Sequence, residues 1–342
     1  MSITTFIIVS VIKSAAVIAV LLTAVAYSVW LERKVSGHIQ NRWGPTRVGP
    51  FGLLQPLADG AKFILKEDLT PPHVYKPLYL AAPIIAVVFA ITSIAVIPFG
   101  NTLTVDGITT PFQIAPDLNI ALLIVLGITS MGVYGVALAG WSSNSKYSLL
   151  GGLRASAQMV SYEVSLGLSL IPVLIKSGSF SLRAIVESQE HLRWNIWYFP
   201  FGTLAFFIYL ISAYAETNRT PFDLPEAESE LVAGYHTEYS AMKFAMFFMA
   251  EYANMVTVAC LATILFFGGW LGPVFGREGS ILAMLLPIVW FCLKVFFFMF
   301  LYVWVRWTLP RFRYDQLMAF GWKFLLPLAI ANLVVTALVV AI

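Results

Sequence analysis

The chain is 342 residues long and 59% hydrophobic, with only 11% charged residues and a mean hydropathy of +0.82. A water-soluble domain of this length could not hide so much apolar side chain, so the composition excludes one and points to an integral membrane protein whose solvent is largely lipid. A formal net charge of only +3 implies no nucleic-acid partner.

Spanning a bilayer takes about 20 apolar residues, and backbone polar groups in lipid must be satisfied within the span, so the spans are helices. On that measure the chain is an all-α polytopic protein, a single integral membrane domain over residues 1–342 with about eight transmembrane helices. The first apolar run, residues 4–31, has no basic n-region, exceeds a signal-peptide core and lacks a small-residue cleavage site at its end. It reads as a permanent span. Residues 51–66 are too short and too charged to cross. There Leu53, Leu57, Ala61 and Ile64 share one helical face, and Gln55, Asp59, Lys62 and Lys66 fall opposite at i, i+4, i+7 and i+11. This is the pattern of a helix lying in the interface plane. It serves either as an anchor for its loop or as the lip of an opening for a lipid-soluble molecule. Seven more spans follow at 77–99, 118–141, 156–176, 196–215, 240–268, 281–305 and 322–341.

Lys and Arg concentrate in the odd-numbered connections: Arg33, Lys34, Arg42, Arg47, Lys62, Lys66 and Lys76 in the first, Lys146 and Arg154 in the third, Arg219 and Lys243 in the fifth, and Arg306, Arg311, Arg313 and Lys323 in the seventh. By the positive-inside rule these connections face the cytoplasm or mitochondrial matrix, and both termini face the periplasm or intermembrane space.

The two cysteines, Cys260 and Cys292, sit far apart in apolar runs without a Cys-x-x-Cys pair. They read as small hydrophobes, and neither a metal nor an iron–sulfur cluster is expected on this chain. A glycine-rich fingerprint after a strand is absent, so no NAD or FMN site is expected either.

The carboxylates are more informative. Six of the 18 acids, Glu216, Asp223, Glu226, Glu228, Glu230 and Glu238, fall in the connection at 216–239, on the predicted positive side. Asp223 can cap a helix beginning at Leu224 with Glu226 as its capping-box partner, and Phe222, Leu224, Leu231 and Val232 interleave with the acids as in a packed segment. Glu163, Glu216 and Glu251 are predicted at similar depth on three spans, where ionisable groups are costly and tend to mark function. Sharing one low-dielectric cavity, they could not all ionise, which is what a proton relay needs. The alternative is that each pairs separately, and that reading suits Lys13 and Lys294 better.

Four stretches carry a resemblance: LERKVSGHIQNRWGPTRVGPFGLLQPLADGAKFILKED, WSSNSKYSLLGGLRASAQMVSYE, AETNRTPFDLPEAESELVAGYHTEY followed by FFMAEYAN, and PRFRYDQLM. In order and spacing the chain resembles the H-subunit family of proton-pumping NADH:quinone oxidoreductase, respiratory complex I, whose mitochondrial counterpart is NADH dehydrogenase subunit 1. The resemblance implies a subunit that forms much of the ubiquinone access chamber, with the helix at 51–66 and the first and sixth spans at its entrance. It implies Glu32, Arg33, Arg42, Arg219, Phe222 and Asp223 near the chamber. It implies Glu163, Glu216, Glu226, Glu228, Glu230 and Glu251 as carboxylates leading toward antiporter-like subunits. The implied partners are peripheral-arm subunits carrying the terminal iron–sulfur cluster and the quinone headgroup ligands, small and antiporter-like membrane subunits, and lipids, in a bacterial or mitochondrial inner membrane. Three rivals stand beside this reading: a free-standing proton or cation transporter, the equivalent subunit of a related hydrogenase or quinone oxidoreductase, and a passive scaffold sealing the quinone pocket.

Overall fold

In a computed structural model, residues 3–105, 108–115, 117–223, 233–273 and 281–341 are described. The elements are α1 (Ile3–Ile39), a 3-10 turn (Pro50–Gly52), α2 (Gln55–Leu65), α3 (Lys76–Ser93), β1 (Thr102–Val105), β2 (Ile108–Pro111), α4 (Ala121–Ser142) and α5 (Lys146–Ser177). They continue through α6 (Leu182–Glu187), α7 (Phe201–Glu216), a 3-10 turn (Gly234–His236), α8 (Ala241–Phe266), α9 (Ile281–Thr308), α10 (Tyr314–Phe320), a π turn (Gly321–Leu325) and α11 (Leu326–Ala341). Among the described residues seven helices are long and apolar enough to cross a bilayer, the last formed by α10, the π turn and α11 together. The fifth expected span, 196–215, is shorter than foreseen. It opens with a 3-10 turn at Asn195–Trp197 and becomes α-helical only at Phe201, leaving a 16-residue helix about 24 Å long. The helical class therefore holds, with one addition: β1 and β2 pair as an antiparallel hairpin in the connection between α3 and α4.

Helices α3, α4, α5, α7, α8 and α11 form the body of the bundle, while α1 and α9 pack together against one side of α8. Of the seven candidate spans α8 is the most enclosed and α1 the least. Interhelical hydrogen bonds pin α8 in place. Ser93 and Thr257 join hydroxyls at 3.0 Å, and the Tyr209 hydroxyl donates to the Val258 carbonyl at 2.9 Å. Such bonds average about 0.6 kcal/mol each in a membrane. Where α8 ends, Lys294 donates to the carbonyls of Phe267, Gly269 and Leu271 at 2.7–2.8 Å. The ammonium thus meets the negative end of the helix dipole, and this residue is a structural clamp.

Helix α2 lies with its apolar side outward: Leu57, Ile64 and Leu65 are exposed, while Asp59 reaches back to Arg33 at 2.7 Å and Phe63 meets Phe244. That arrangement suits a helix whose apolar face rests on lipid. The following segment is tied to the start of α8 by Lys243, which bonds Asp68 at 3.0 Å and Thr70 at 2.6 Å.

The turn Gly234–His236 packs directly on α5, and a Cβ on Gly151 would come within 2.6 Å of the Gly234 Cα. This close approach buries His236 among Tyr235, Phe244 and Phe248, and burial lowers the imidazole pKa to about 4. An unfolded histidine titrates near ~6.5, so the unfolded chain binds the proton first. The stability held by neutral His236 is therefore present above about pH 6.5 and is lost as pH falls through about 4. Thermal melting of the purified protein between these limits is expected to show an acid-side loss that His236→Phe reduces; an unchanged acid limb would contradict it.

Candidate functional site

Four segments converge on one buried carboxylate. Glu32 lies near the end of α1, where the helix has run past its apolar stretch, and is only 8% exposed. Arg306, in the last turns of α9, donates to Glu32 Oε1. The Tyr252 hydroxyl, on α8, donates to Oε2 at 2.6 Å. Arg219, in the segment after α7, places Nη1 3.4 Å from the same oxygen. Arg219 also sets its Nε 2.5 Å from Glu251 Oε1 and lies over the Tyr252 ring, 4.3 Å from its centroid. Two carboxylates and two guanidinium groups thus form a charge-balanced cluster, with Arg219 as the bridge between Glu32 and Glu251.

The segment carrying Arg219 is held firmly. The Gln158 amide donates to the carbonyls of Ala215 and Phe222, both at 2.8 Å. Phe222 is buried and stacks on Phe312, with centroids 5.6 Å apart and planes 13° from parallel. The Phe312 amide donates to the Pro221 carbonyl, and Arg311 pairs with Asp223 at 2.9 Å. The chain between α9 and α10 therefore clamps residues 221–223 from one side while α5 holds them from the other.

Of the three in-span glutamates, Glu216 and Glu251 line one small cavity of about 40 Å³. Glu163 does not line it. It accepts a hydrogen bond from Ser130 of α4 and lies within electrostatic reach of Glu216. The expected convergence is thus a shared cavity for two carboxylates with the third beside it. Glu251 additionally belongs to the arginine cluster, so the two groups of predicted residues meet in one side chain.

Arg33 and Arg42 stand apart from this cluster. Arg33 is half-exposed and pairs with Asp59 of α2, and Arg42 is exposed with its Nε on Gln40 at 2.7 Å. Glu226, Glu228 and Glu230, with the helix foreseen from Leu224, lie outside the described residues. Several partners escaped sequence reasoning in any functional role: Tyr252 and Ser130 did not enter it, and Arg306 and Arg311 entered it only as topology markers. A buried acid at Glu32 demands countercharge, and searching the apolar spans for arginines near the same bilayer face would have found Arg306.

Between α1, α8 and α9 runs an apolar crevice of about 510 Å³, lined by residues including Leu21, Trp30, Leu31, Val256, Phe291 and Met299. Leu31 directly precedes Glu32, so the crevice and the ion cluster adjoin along α1. Among the described residues no group of three His, Cys, Asp or Glu side chains is placed to hold a metal ion.

The family model described as NADH dehydrogenase matches residues 12–337. An H subunit of NADH-quinone oxidoreductase from Koribacter versatilis is 71% identical over 351 aligned positions, covering 100% of this chain and 99% of the relative. An H subunit of the same enzyme from Solibacter usitatus is 51% identical, with 98% of each chain covered, and one from Protochlamydia amoebophila is 54% identical, with 92% of each covered.

Removing Glu32 would take from the partly buried Arg306 its acid and leave the buried Arg219 with Glu251 alone among the described acids. Unpairing a buried charge typically costs about 3–5 kcal/mol. Glu32→Ala is expected to lower the melting temperature of the purified protein strongly and Glu32→Gln less, since the amide still accepts from Tyr252. Equal melting of both variants and the parent would contradict the cluster.

Proposed function

We propose that this chain, which belongs to the NADH dehydrogenase family, forms the quinone access chamber of an NADH:quinone oxidoreductase and couples quinone reduction to proton translocation. The observation that carries this reading is the placement of Arg219 between Glu32 and Glu251, with Glu251 sharing a cavity with Glu216. The apolar crevice beside Glu32 suits an isoprenoid tail, which needs length and apolar walls rather than hydrogen bonds.

Reduction of a quinone adds electrons and calls for protons. A new negative charge near the Glu32 end draws Arg219 toward it and weakens its hold on Glu251. Glu251 then favours its protonated form, because a carboxylate losing its cation neighbour loses the interaction that kept it ionised. The change passes to Glu216 across the cavity and to Glu163 by charge. Each link is a shift in protonation equilibrium driven by a neighbour, so the coupling is reciprocal: proton movement at Glu163 and Glu216 acts back on the quinone end. In this reading the residues of the chain hold and move protons while the electrons arrive from a partner subunit bearing the terminal iron–sulfur cluster.

The half-exposed Arg33 and the exposed Arg42 face those peripheral-arm partners on the cytoplasmic side, and both termini lie on the periplasmic side. Helix α2 rests on lipid headgroups at the chamber entrance. Antiporter-like and small membrane subunits continue the carboxylate line beyond Glu163. The bacterial relatives favour a bacterial inner membrane.

The test uses the assembled complex carrying Glu216→Gln, with assembly verified. Quinone-dependent NADH oxidation and proton translocation are expected to fall at least several-fold, while NADH oxidation by a water-soluble artificial acceptor stays near normal. Normal quinone turnover and pumping would count against a coupling role and favour the passive scaffold.

A further inference from the structure

One side chain holds both ends of the turn that carries Arg219. Gln158 of α5 is fully buried, and its Nε2 donates to the Ala215 carbonyl and to the Phe222 carbonyl, each at 2.8 Å. Two carbonyls seven residues apart are thereby brought to a single nitrogen. Between them the backbone closes on itself: the Asn218 amide donates to the Ala215 carbonyl, the Arg219 amide to that of Tyr214 and the Phe222 amide to that of Arg219. Asn218 takes a left-handed conformation, φ 51°, that asparagine tolerates better than most residues. Arg219 thus leaves the backbone within a stapled turn, and from there its guanidinium reaches Glu32 at 3.4 Å and Glu251 at 2.5 Å. The staple carries a cost. Gln158 Oε1 is buried with no hydrogen-bond partner among the described residues, and an oxygen left so costs about 1–3 kcal/mol. A leucine would avoid that cost but offer the two carbonyls no donor, and an ionised glutamate would offer them only acceptors. The glutamine NH2 supplies two donors at one atom without a charge.

We propose that Gln158 is a positioning residue for the quinone reaction: by stapling Ala215 to Phe222 it sets where the Arg219 guanidinium stands between Glu32 and Glu251. Its described hydrogen bonds go to backbone carbonyls, so its effect on the two acids passes through Arg219. The turn has other anchors. Phe222 stacks on Phe312 and Asp223 pairs with Arg311. One turn of α5 to either side, Arg154 lies over the Tyr314 ring and Tyr162 donates to the Leu317 carbonyl, so α5 keeps its hold on α10 without Gln158. Losing the staple therefore relaxes the position of Arg219 while the surrounding packing stays. The functional part rests on the proposed coupling role of Arg219; the hold of Gln158 on the turn does not.

The experiment is a quinone titration of NADH oxidation in the assembled complex carrying Gln158→Leu, Arg219→Gln or both, with oxidation by a water-soluble artificial acceptor as the measure of intact assembly. Gln158→Asn, whose arm is one methylene shorter, serves as the milder variant if Gln158→Leu fails to assemble. Gln158→Leu is expected to lower kcat/KM for quinone at least several-fold, and to add no further loss in the Arg219→Gln background. A lower melting temperature with kcat/KM at the parental value would make Gln158 purely structural and overturn the inference. A loss of the same size with and without Arg219 would overturn its action through that residue. Failure of Gln158→Asn to assemble as well would make Gln158 a folding residue and overturn the positioning role. Parental turnover in Arg219→Gln itself would overturn the coupling role of Arg219 and the inference with it, a result distinct from the others.

Discussion

Glu32 is a carboxylate placed among packed apolar helices, and such a group is tolerable only where countercharge and donors are brought to it. The protein brings them from three other segments: Arg306 from the end of α9, Tyr252 from the middle of α8, and Arg219 from the turn after α7. These contacts fix how α1 and α9 sit against α8, the arrangement that leaves the apolar crevice between them. They also fix Arg219, and with it the start of the acidic connection. A single buried acid thus ties together the helices that wall the apolar crevice and the arginine that reaches Glu251.

From that point the polar groups step across the bundle. Arg219 reaches Glu251, Glu251 shares a cavity with Glu216, and Glu216 lies within the field of Glu163, which is held by Ser130. Every step changes helix, from α8 to α7 to α5 and α4. A line of this kind is sensitive to small shifts, because each member is tuned by neighbours on another element. The surrounding bonds are correspondingly rigid: Gln158 grips the backbone on both sides of the turn, Phe222 stacks on Phe312, and Lys294 clamps the far end of α8.

Much of this fold is legible in the sequence because lipid imposes a simple length rule, and the apolar runs from residue 4 to residue 341 obey it. The amphipathic pattern at 51–66 is equally direct, since the structure turns Leu57 and Ile64 outward and Asp59 inward. The shortening of α7 was not legible, because apolarity continues through Ile196 and Trp197 while the backbone there forms a 3-10 turn. The hairpin carried a local signal, β-branched residues flanking the Asp-Gly pair at 106–107, which a search for long apolar runs passes over. At the site, the three in-span glutamates could be placed by depth, but their partners could not. Pairing of Glu32 with Arg306 spans most of the chain, and only the packing of α1 against α9 brings them together. Resemblance supplied Arg219; it also grouped Arg33 and Arg42 with the expected chamber, and in the structure both are exposed, apart from the Glu32 cluster.

The central claim is that Arg219 joins Glu32 and Glu251 energetically, and a double-mutant cycle in the assembled complex tests it most directly. Quinone-dependent NADH oxidation and thermal stability would be measured for Arg219→Gln, Glu251→Gln and the pair. If Arg219 is the bridge, removing it leaves both acids under-compensated, and adding Glu251→Gln relieves part of that damage, so the pair is less impaired than the sum of the single changes. Strictly additive losses would mean that the two residues act independently and that charge at the Glu32 end does not reach Glu251 through Arg219.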